Sequence, residues 1–322
     1  MKQHFIPRCY LRRFSENGKS IMTYDKKNCK IYNASLMAVC CINDLYKISE
    51  EYINECNNEI TELSIEKDYF ANNIEPMLDQ YLKTLDIIKK GWDNGNDKYR
   101  MNYYEKKELA LHIATLYFRL PDVMNSIVDN YMRFERADAD MLKHILAIKT
   151  GNKAFDELNL SISCEKPVLH AQLSYMDHEL LMQCASDIAK NIFVFWTSKD
   201  KLFYTSDFPI VVEPHWKNAI PKYDGLVQYG GELMITLSPD LAVSIYDRNF
   251  FKEKEYLDTC FVEASEKEVR RHNWMNYLYA KRHVFSLDDN FSVIEFVYKK
   301  YGKHEFLSPN LRKEIKSGLG NY

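Results

Sequence analysis

The sequence predicts an α+β protein, with an N-terminal segment and a helical half packed against a later antiparallel β-sheet and a C-terminal helix. Three observations carry that expectation. Helical periodicity fills most of the stretch from about residue 57 to residue 190. After Asn191 the chain changes to short β-rich runs bounded by turn residues. Helices therefore cluster before strands, where βαβ units would alternate them. At 322 residues the chain can bury a large core,. The expected organisation is a single globular unit over 1–322, with a helical subdomain at 50–190 and a sheet subdomain at 191–300 joined to the segment 1–35.

The opening stretch from Met1 to Phe14 places Phe5, Ile6, Tyr10, Leu11 and Phe14 among His4, Arg8, Arg12 and Arg13. A disposable terminus is polar and loose, so these apolar residues imply a segment docked on the core. Ile21–Tyr24 and Lys30–Tyr32 flank Asp25-Lys-Lys-Asn28 as a hairpin,. A long helix follows from about Asn57 to Lys90, interrupted near Pro76, with Asn72 or Asn73 as a new cap,. The polar run Gly91–Asp97 breaks the pattern, and helices are expected at Tyr103–Leu120, Val123–Ile148 and Asp177–Lys190. Strands are expected at Asn191–Trp196, Leu202–Tyr204, Ile210–Val212, Leu233–Thr236 and Leu241–Tyr246,. Ser265-Glu-Lys-Glu268 reads as a capping box opening a helix to Ala280, and His283–Leu287 and Ser292–Tyr298 read as strands,.

The net charge of −3 argues against a wholesale nucleic-acid binder,. The average conceals a polarised layout: Lys2, Arg8, Arg12, Arg13, Lys19, Lys26, Lys27 and Lys30 open the chain, and an acid-rich stretch follows from Asp44 to Asp79. The basic head either docks on the acidic helix or touches phosphate. Eight cysteines show no CxxC and no paired His spacing, so free, mostly buried thiols are expected rather than a zinc or disulfide framework,. No secretory or membrane-spanning run is present, which predicts a cytoplasmic protein without a membrane partner. P-loop, dinucleotide, zincin and α/β-hydrolase motifs are all missing. Asp25-Lys-Lys27 has the residue types of a nuclease triplet, but in a hairpin turn such residues are ordinary.

Several residues could carry chemistry. Helical spacing sets Leu109, Ile113, Leu116 and Leu120 on one seam, with Glu108, His112 and Arg119 together on its flank,. Arg119 closes that helix in Arg-Leu-Pro, where its guanidinium can reach an anion or bridge carboxylates. Glu66 and Glu75 stand nine residues apart, on opposite faces of a continuous α-helix, and share a site only if the chain bends between them; Glu62 and Glu66 otherwise read as a solvated acidic face. Thr205-Ser206-Asp207-Phe208-Pro209 joins two strands; Asp207 either closes an Asx turn or presents its carboxylate to a metal, a water or His4,. Asn273 falls where its helix calls for an apolar residue and needs backbone partners. Arg282 and His283 lead from that helix into a strand, and His272 reads as a surface residue.

Taken in order, these motifs resemble the domain-of-unknown-function family numbered 4238. The resemblance lies in His4-x-x-Pro7-x-x-Tyr10-Leu11-x-x-Phe14, Asp44-Leu-Tyr46, Glu75, Arg119-Leu-Pro121, Thr205-Ser-Asp207-x-Pro209, Leu237-Ser-Pro-Asp240, Asn273 and Arg282. It covers most of the chain and brings no established activity. The residues it picks out suit a phosphodiester or nucleotide hydrolase, nuclease-like and possible in defence. His4, Glu75, Arg119 and Asp207 would be catalytic, and Arg8, Ser206, Asn273 and Arg282 would bind substrate. Asp207 and Glu75 would hold a divalent cation, and the basic N-terminal segment would meet nucleic acid or nucleotide. The alternative is a non-catalytic binding or regulatory module in which the same residues are structural.

Overall fold

The computed structural model describes residues 1–55, 60–95, 99–158, 168, 176–200, 202–216 and 226–302. The protein is α+β. Cys56, Cys164 and the expected helix start at Asn57 lie outside the described residues.

Among the described residues the largest sheet has five strands: β5 (Ile192–Thr197), β7 (Ile210–Pro214), β8 (Gly231–Ser238), β9 (Leu241–Tyr246) and β10 (Cys260–Glu263). Their order is β10-β5-β9-β8-β7. All pairs are antiparallel except β10 on β5, and β10 itself lies in a run not anticipated as a strand. Side chains alternate across a strand, and here both faces are buried. Phe193, Phe195, Leu233, Ile235, Val243 and Ile245 face the main core, while Ile192, Val194, Met234, Ala242 and Tyr246 belong to clusters on the opposite face.

The main core gathers α1 (Arg8–Arg12), α3 (Glu75–Asp93), α4 (Tyr103–Phe118) and α6 (His178–Ala189). Asn102 opens α4 with a capping box that it shares with Glu105,. Ala110 and Ala185 are both fully buried, and small residues let α4 and α6 approach closely. Between the pair, α5 (Pro121–Thr150) runs outward and buries only Met124 and Ala147. On the sheet's other face lies α7 (Glu266–Tyr279), capped by Ser265 as expected. It buries seven residues, His272 among them at 1% exposure, so His272 is a core residue and not a surface one. Its ring packs edge-on to Phe203.

A second sheet of order β3-β2-β11-β6 joins the two ends of the chain. The expected hairpin, β2 (Ser20–Asp25) and β3 (Lys30–Ser35), pairs with β11 (His283–Ser286), which also pairs with β6 (Thr205–Ser206). A two-stranded ribbon, β1 (Lys2–His4) with β4 (Cys41–Asn43), ties down the N-terminus.

Two expected strands are otherwise. Leu202–Tyr204 lacks ladder pairing and is held by a side chain instead. Ser292–Tyr301 is a helix, α8, because burial of Val293, Ile294 and Val297 on one helical face overrides their β propensity,. Among the described residues the thiols are free, but only Cys40 is buried; Cys9, Cys29, Cys41, Cys184 and Cys260 are half-buried. Among the described residues no helix is long and apolar enough to cross a membrane.

Phe195 is fully buried and stacks on Phe261 at 4.7 Å between centroids. Phe195→Ala is expected to lower the unfolding free energy by about 3–5 kcal/mol in urea denaturation. A loss near zero would contradict this packing.

Candidate functional site

The opening motif is an anchoring device. Pro7 supplies an extended backbone ahead of α1, and its carbonyl accepts the Leu11 N–H at 3.1 Å. Ile6, Tyr10, Leu11 and Phe14 then fall into the main core. The Tyr10 hydroxyl reaches the Thr236 carbonyl at 2.5 Å and the Thr205 hydroxyl at 2.7 Å. Arg13 is held on α3 by a two-pronged bond to Asp86 and donates to the Leu237 carbonyl. Lys2, Arg8, Arg12 and Lys19 remain exposed.

This anchoring presents His4 to a buried guanidinium. Arg119 ends α4, and Pro121 forces Leu120 into extended backbone before α5 begins, so the arginine is fixed between two helices,. It is 1% exposed. Its Nη2 donates to the His4 carbonyl at 2.7 Å and to Glu75 Oε1 at 3.2 Å, and Nε lies 3.4 Å from the Tyr46 hydroxyl. The guanidinium carbon sits 3.8 Å from the Phe70 ring centroid, a close cation–π contact,. Nη1 is buried and has no hydrogen-bond partner.

The stretch Ile65–Ile74 is a π-helix that runs directly into α3. No new cap forms at Asn72 or Asn73; the Glu75 N–H bonds the Phe70 carbonyl, five residues back. This wider turn eases the clash that a proline ring makes with the carbonyl four residues before it. It also changes which side chains align. Two π-turns take about nine residues, so Glu66 and Glu75 can share a face without a sharp bend. Glu66 feels both neighbours: Arg119 lowers its pKa and the Glu75 carboxylate raises it. Glu66 was expected to be solvated, yet its Oε2 is buried without a hydrogen-bond partner. Burial raises its pKa, against the pull of Arg119 and Arg8.

His4 lies in the same field. Burial lowers its pKa, and Arg8 and Arg119 add to that, against the Leu36 carbonyl and Glu75. Its Nε2 is 3.1 Å from the Leu36 carbonyl. A carbonyl only accepts, so the neutral ring carries its proton on Nε2 and keeps a lone pair on Nδ1. Cys9, also nearby, is no nucleophile: burial, then Glu75 and Asp79, push its thiol up to about 12.

Arg8 sits exposed beside this group, its Nη1 2.6 Å from Met37 Sδ. The structure thus brings His4, Arg8, Glu75 and Arg119 together and adds Glu66, Tyr46 and Phe70. It does not bring in the rest. Asp207 shares no hydrogen bond or ion pair with His4, Glu75 or Arg119. Its carboxylate accepts three backbone N–H groups, from Lys281 at 2.8 Å, Arg282 at 2.8 Å and His283 at 2.9 Å. Both oxygens are thereby committed to the corner between α7 and β11. Ser206 Oγ accepts the Phe208 N–H. Arg282 pairs with Asp25, whose pKa falls to about 2 because that guanidinium and the Asn28 donors outweigh burial. Asp25 is therefore a turn residue, also accepting the Lys27 and Asn28 N–H groups.

Asn273 clamps the Leu202–Tyr204 backbone, accepting the Tyr204 N–H and donating to the Leu202 carbonyl, each at 2.8 Å. It also lines a cavity of about 230 Å³ with Tyr204, Asn290 and Ser292. His112 does not join Arg119: it packs on Tyr81, and burial alone lowers its pKa to about 4. Among the described residues, the group of His, Cys, Asp and Glu with ligand atoms in metal-holding reach is Glu213, His215 and Glu232. It contains neither Glu75 nor Asp207, and the sequence reading missed it. Its only sequence signal is Glu-x-His at the end of a strand.

The model of one family, described as a protein of unknown function (DUF4238), matches residues 2–290. The chain belongs to that family. No significant match to a curated protein or to a solved structure was found.

Two outcomes test these assignments. Asn273→Ala strands the buried Tyr204 N–H and the half-buried Leu202 carbonyl and should cost about 3 kcal/mol in chemical denaturation,. His112 and His272 have pKa values lowered from 6.5 to about 4 and about 3 by burial. Their unfolded forms take up protons first, so the stability they confer is complete above about 6.5 and is lost as pH falls toward those values. Denaturation at stepped pH should show this loss, and His112→Leu should remove the His112 share of it and leave that of His272.

Proposed function

We propose that this member of the DUF4238 family hydrolyses phosphate esters, a phosphodiester or a nucleotide, at the His4–Glu66–Glu75–Arg119 cluster. The observation that carries the reading is three polar atoms in one neighbourhood: the His4 Nδ1 lone pair, left over once Nε2 bonds the Leu36 carbonyl, and the buried, unpartnered Arg119 Nη1 and Glu66 Oε2. They correspond to a base, a donor for a phosphoryl oxygen and a proton source. His4, kept neutral by burial, takes a proton from water through Nδ1 as the water oxygen attacks phosphorus,. Arg119 donates Nη1–H to the charge that develops on the phosphoryl group while Nη2 stays on Glu75,. Glu66, raised toward its protonated form, gives its proton to the departing oxygen. The imidazolium left on His4 is balanced by Glu75. Exposed Arg8, with Lys2 and Arg12, supplies the cationic approach for nucleic acid or nucleotide,. Asp207 supports the corner in this scheme and takes no chemical step.

A second reading, a non-catalytic binding or regulatory module, draws on a specific observation of its own. Asp207, Asn273 and Arg282 are all engaged with backbone or with Asp25. In that reading the cluster binds a phosphate-bearing ligand without turning it over.

The deciding experiment is a hydrolysis screen with bis(p-nitrophenyl) phosphate, single-stranded DNA and nucleoside triphosphates, run with His4→Gln alongside. Glutamine can still donate to the Leu36 carbonyl. The hydrolase reading expects a loss of about 10²–10⁴-fold in kcat/KM with an unchanged Tm. Binding of these ligands with no turnover by the native protein would favour the second reading.

A further inference from the structure

A second constellation lies on the α7 face of the large sheet and shares no residue with the His4 cluster. Glu213 on β7 and Glu232 on β8 are direct cross-strand partners. His215 follows two residues after Glu213, and its backbone N–H bonds the Gly230 carbonyl at 2.8 Å, so the ladder continues past the strand end. Residues i and i+2 of an extended chain share a face. Glu213, His215 and Glu232 therefore project together, toward Arg271 of α7.

Opposed like charges destabilise a strand pair, and burial increases the cost. The Glu213 and Glu232 side chains are only 4% and 0% exposed. One guanidinium answers both: Arg271 Nη2 bonds Glu213 Oε2 at 2.9 Å and also Glu232 Oε2, and Nη1 bonds Glu232 Oε1 at 2.9 Å. His215 Nε2 lies 2.8 Å from Glu232 Oε2 and 4.0 Å from Glu213 Oε2. One ligand atom from each of the three falls within 4.8 Å of the others. A zinc-type ion sits about 2.0–2.2 Å from nitrogen and carboxylate oxygen donors, so shifts of well under 1 Å would close the three around one ion.

We propose that Glu213, His215 and Glu232 form a binding site for a divalent transition-metal ion of the zinc class, with Arg271 as its displaceable stand-in. A second carboxylate for the guanidinium is at hand in Glu268. Its Oε2 is already ion-paired with Arg271 Nη1 at 3.8 Å and has no hydrogen-bond partner. It is a waiting acceptor for the guanidinium when a cation takes its place. In the exchange Arg271 moves from the Glu213–Glu232 pair to Glu268, and the ion neutralises the two carboxylates. His215 binds through Nε2 in the tautomer protonated at Nδ1. Its side chain is 29% exposed, which puts the way in on the histidine side. The mixed nitrogen and carboxylate donors favour zinc over magnesium.

The test is calorimetric titration of the full chain with zinc chloride after EDTA dialysis, followed by thermal melting. The proposal expects one ion per chain, a raised Tm, and no comparable binding of magnesium. His215→Ala, at a partly exposed position, should weaken zinc by more than about a hundredfold, beyond the cost of losing an outer-shell partner. Arg271→Gln should lower the metal-free Tm, and zinc should restore it. Absence of zinc binding, or binding that His215→Ala leaves unchanged, would overturn the assignment.

Discussion

The buried guanidinium of Arg119 is the interaction on which the surrounding architecture depends. It joins the first strand through the His4 carbonyl, the start of α3 through Glu75, and the π-helix through the face of Phe70. A charge this deep is tolerable only when paired and hydrogen-bonded, and removing one partner is far costlier than never having built the pair. The geometry around it is correspondingly constrained. Proline fixes where α4 stops, and the π-helix, rather than a break, delivers Glu66 and Glu75 to the same side. The Nη1 group of Arg119 nevertheless stays unmatched, and so does one oxygen of Glu66. Residual polarity in so enclosed a place gives the cluster its chemical interest.

The five-stranded sheet separates two kinds of interior. The face toward α1, α3, α4 and α6 is almost wholly hydrocarbon and aromatic. The face toward α7 mixes apolar residues with Thr236, Ser244, Glu213 and Glu232, answered by Asn276, His272 and Arg271. The first face supplies the main apolar burial. The second is a polar network whose members must find each other, and such networks fix a unique arrangement at the risk of leaving atoms unmatched.

Much of this was legible in the sequence because it rests on periodicity and turn chemistry. The hairpin around Asp25, the cap at Ser265, five of the later strands and the anchored N-terminus follow from local pattern. Arg119 as a guanidinium able to bridge carboxylates, and Asn273 as a side chain in need of backbone partners, were readable because an odd residue type stood at a definite place. The failures share a cause. The π-helix inserts extra residues per turn without a distinctive composition, so Glu66 looked solvated. His272 looked exposed because α7 is buried on nearly every side, which no amphipathic pattern reports. The Glu213–Glu232 pairing depends on strand register, and Ser292–Tyr301 became helix through tertiary packing alone. Asp207 shows the limit most plainly. Its motif was recognised, but whether its oxygens meet backbone or substrate depends on a segment about seventy residues later.

The sheet shared by both ends of the chain has a consequence for biosynthesis. The Arg282–Asp25 contact spans 257 residues, and β2 finds β11 only across that same interval. At ordinary translation rates the N-terminal hairpin emerges roughly ten to fifty seconds before its partner strand exists. During that time one edge of β2 is an unpaired template, and chaperone occupancy there would shape how much of the newly made protein reaches its native form.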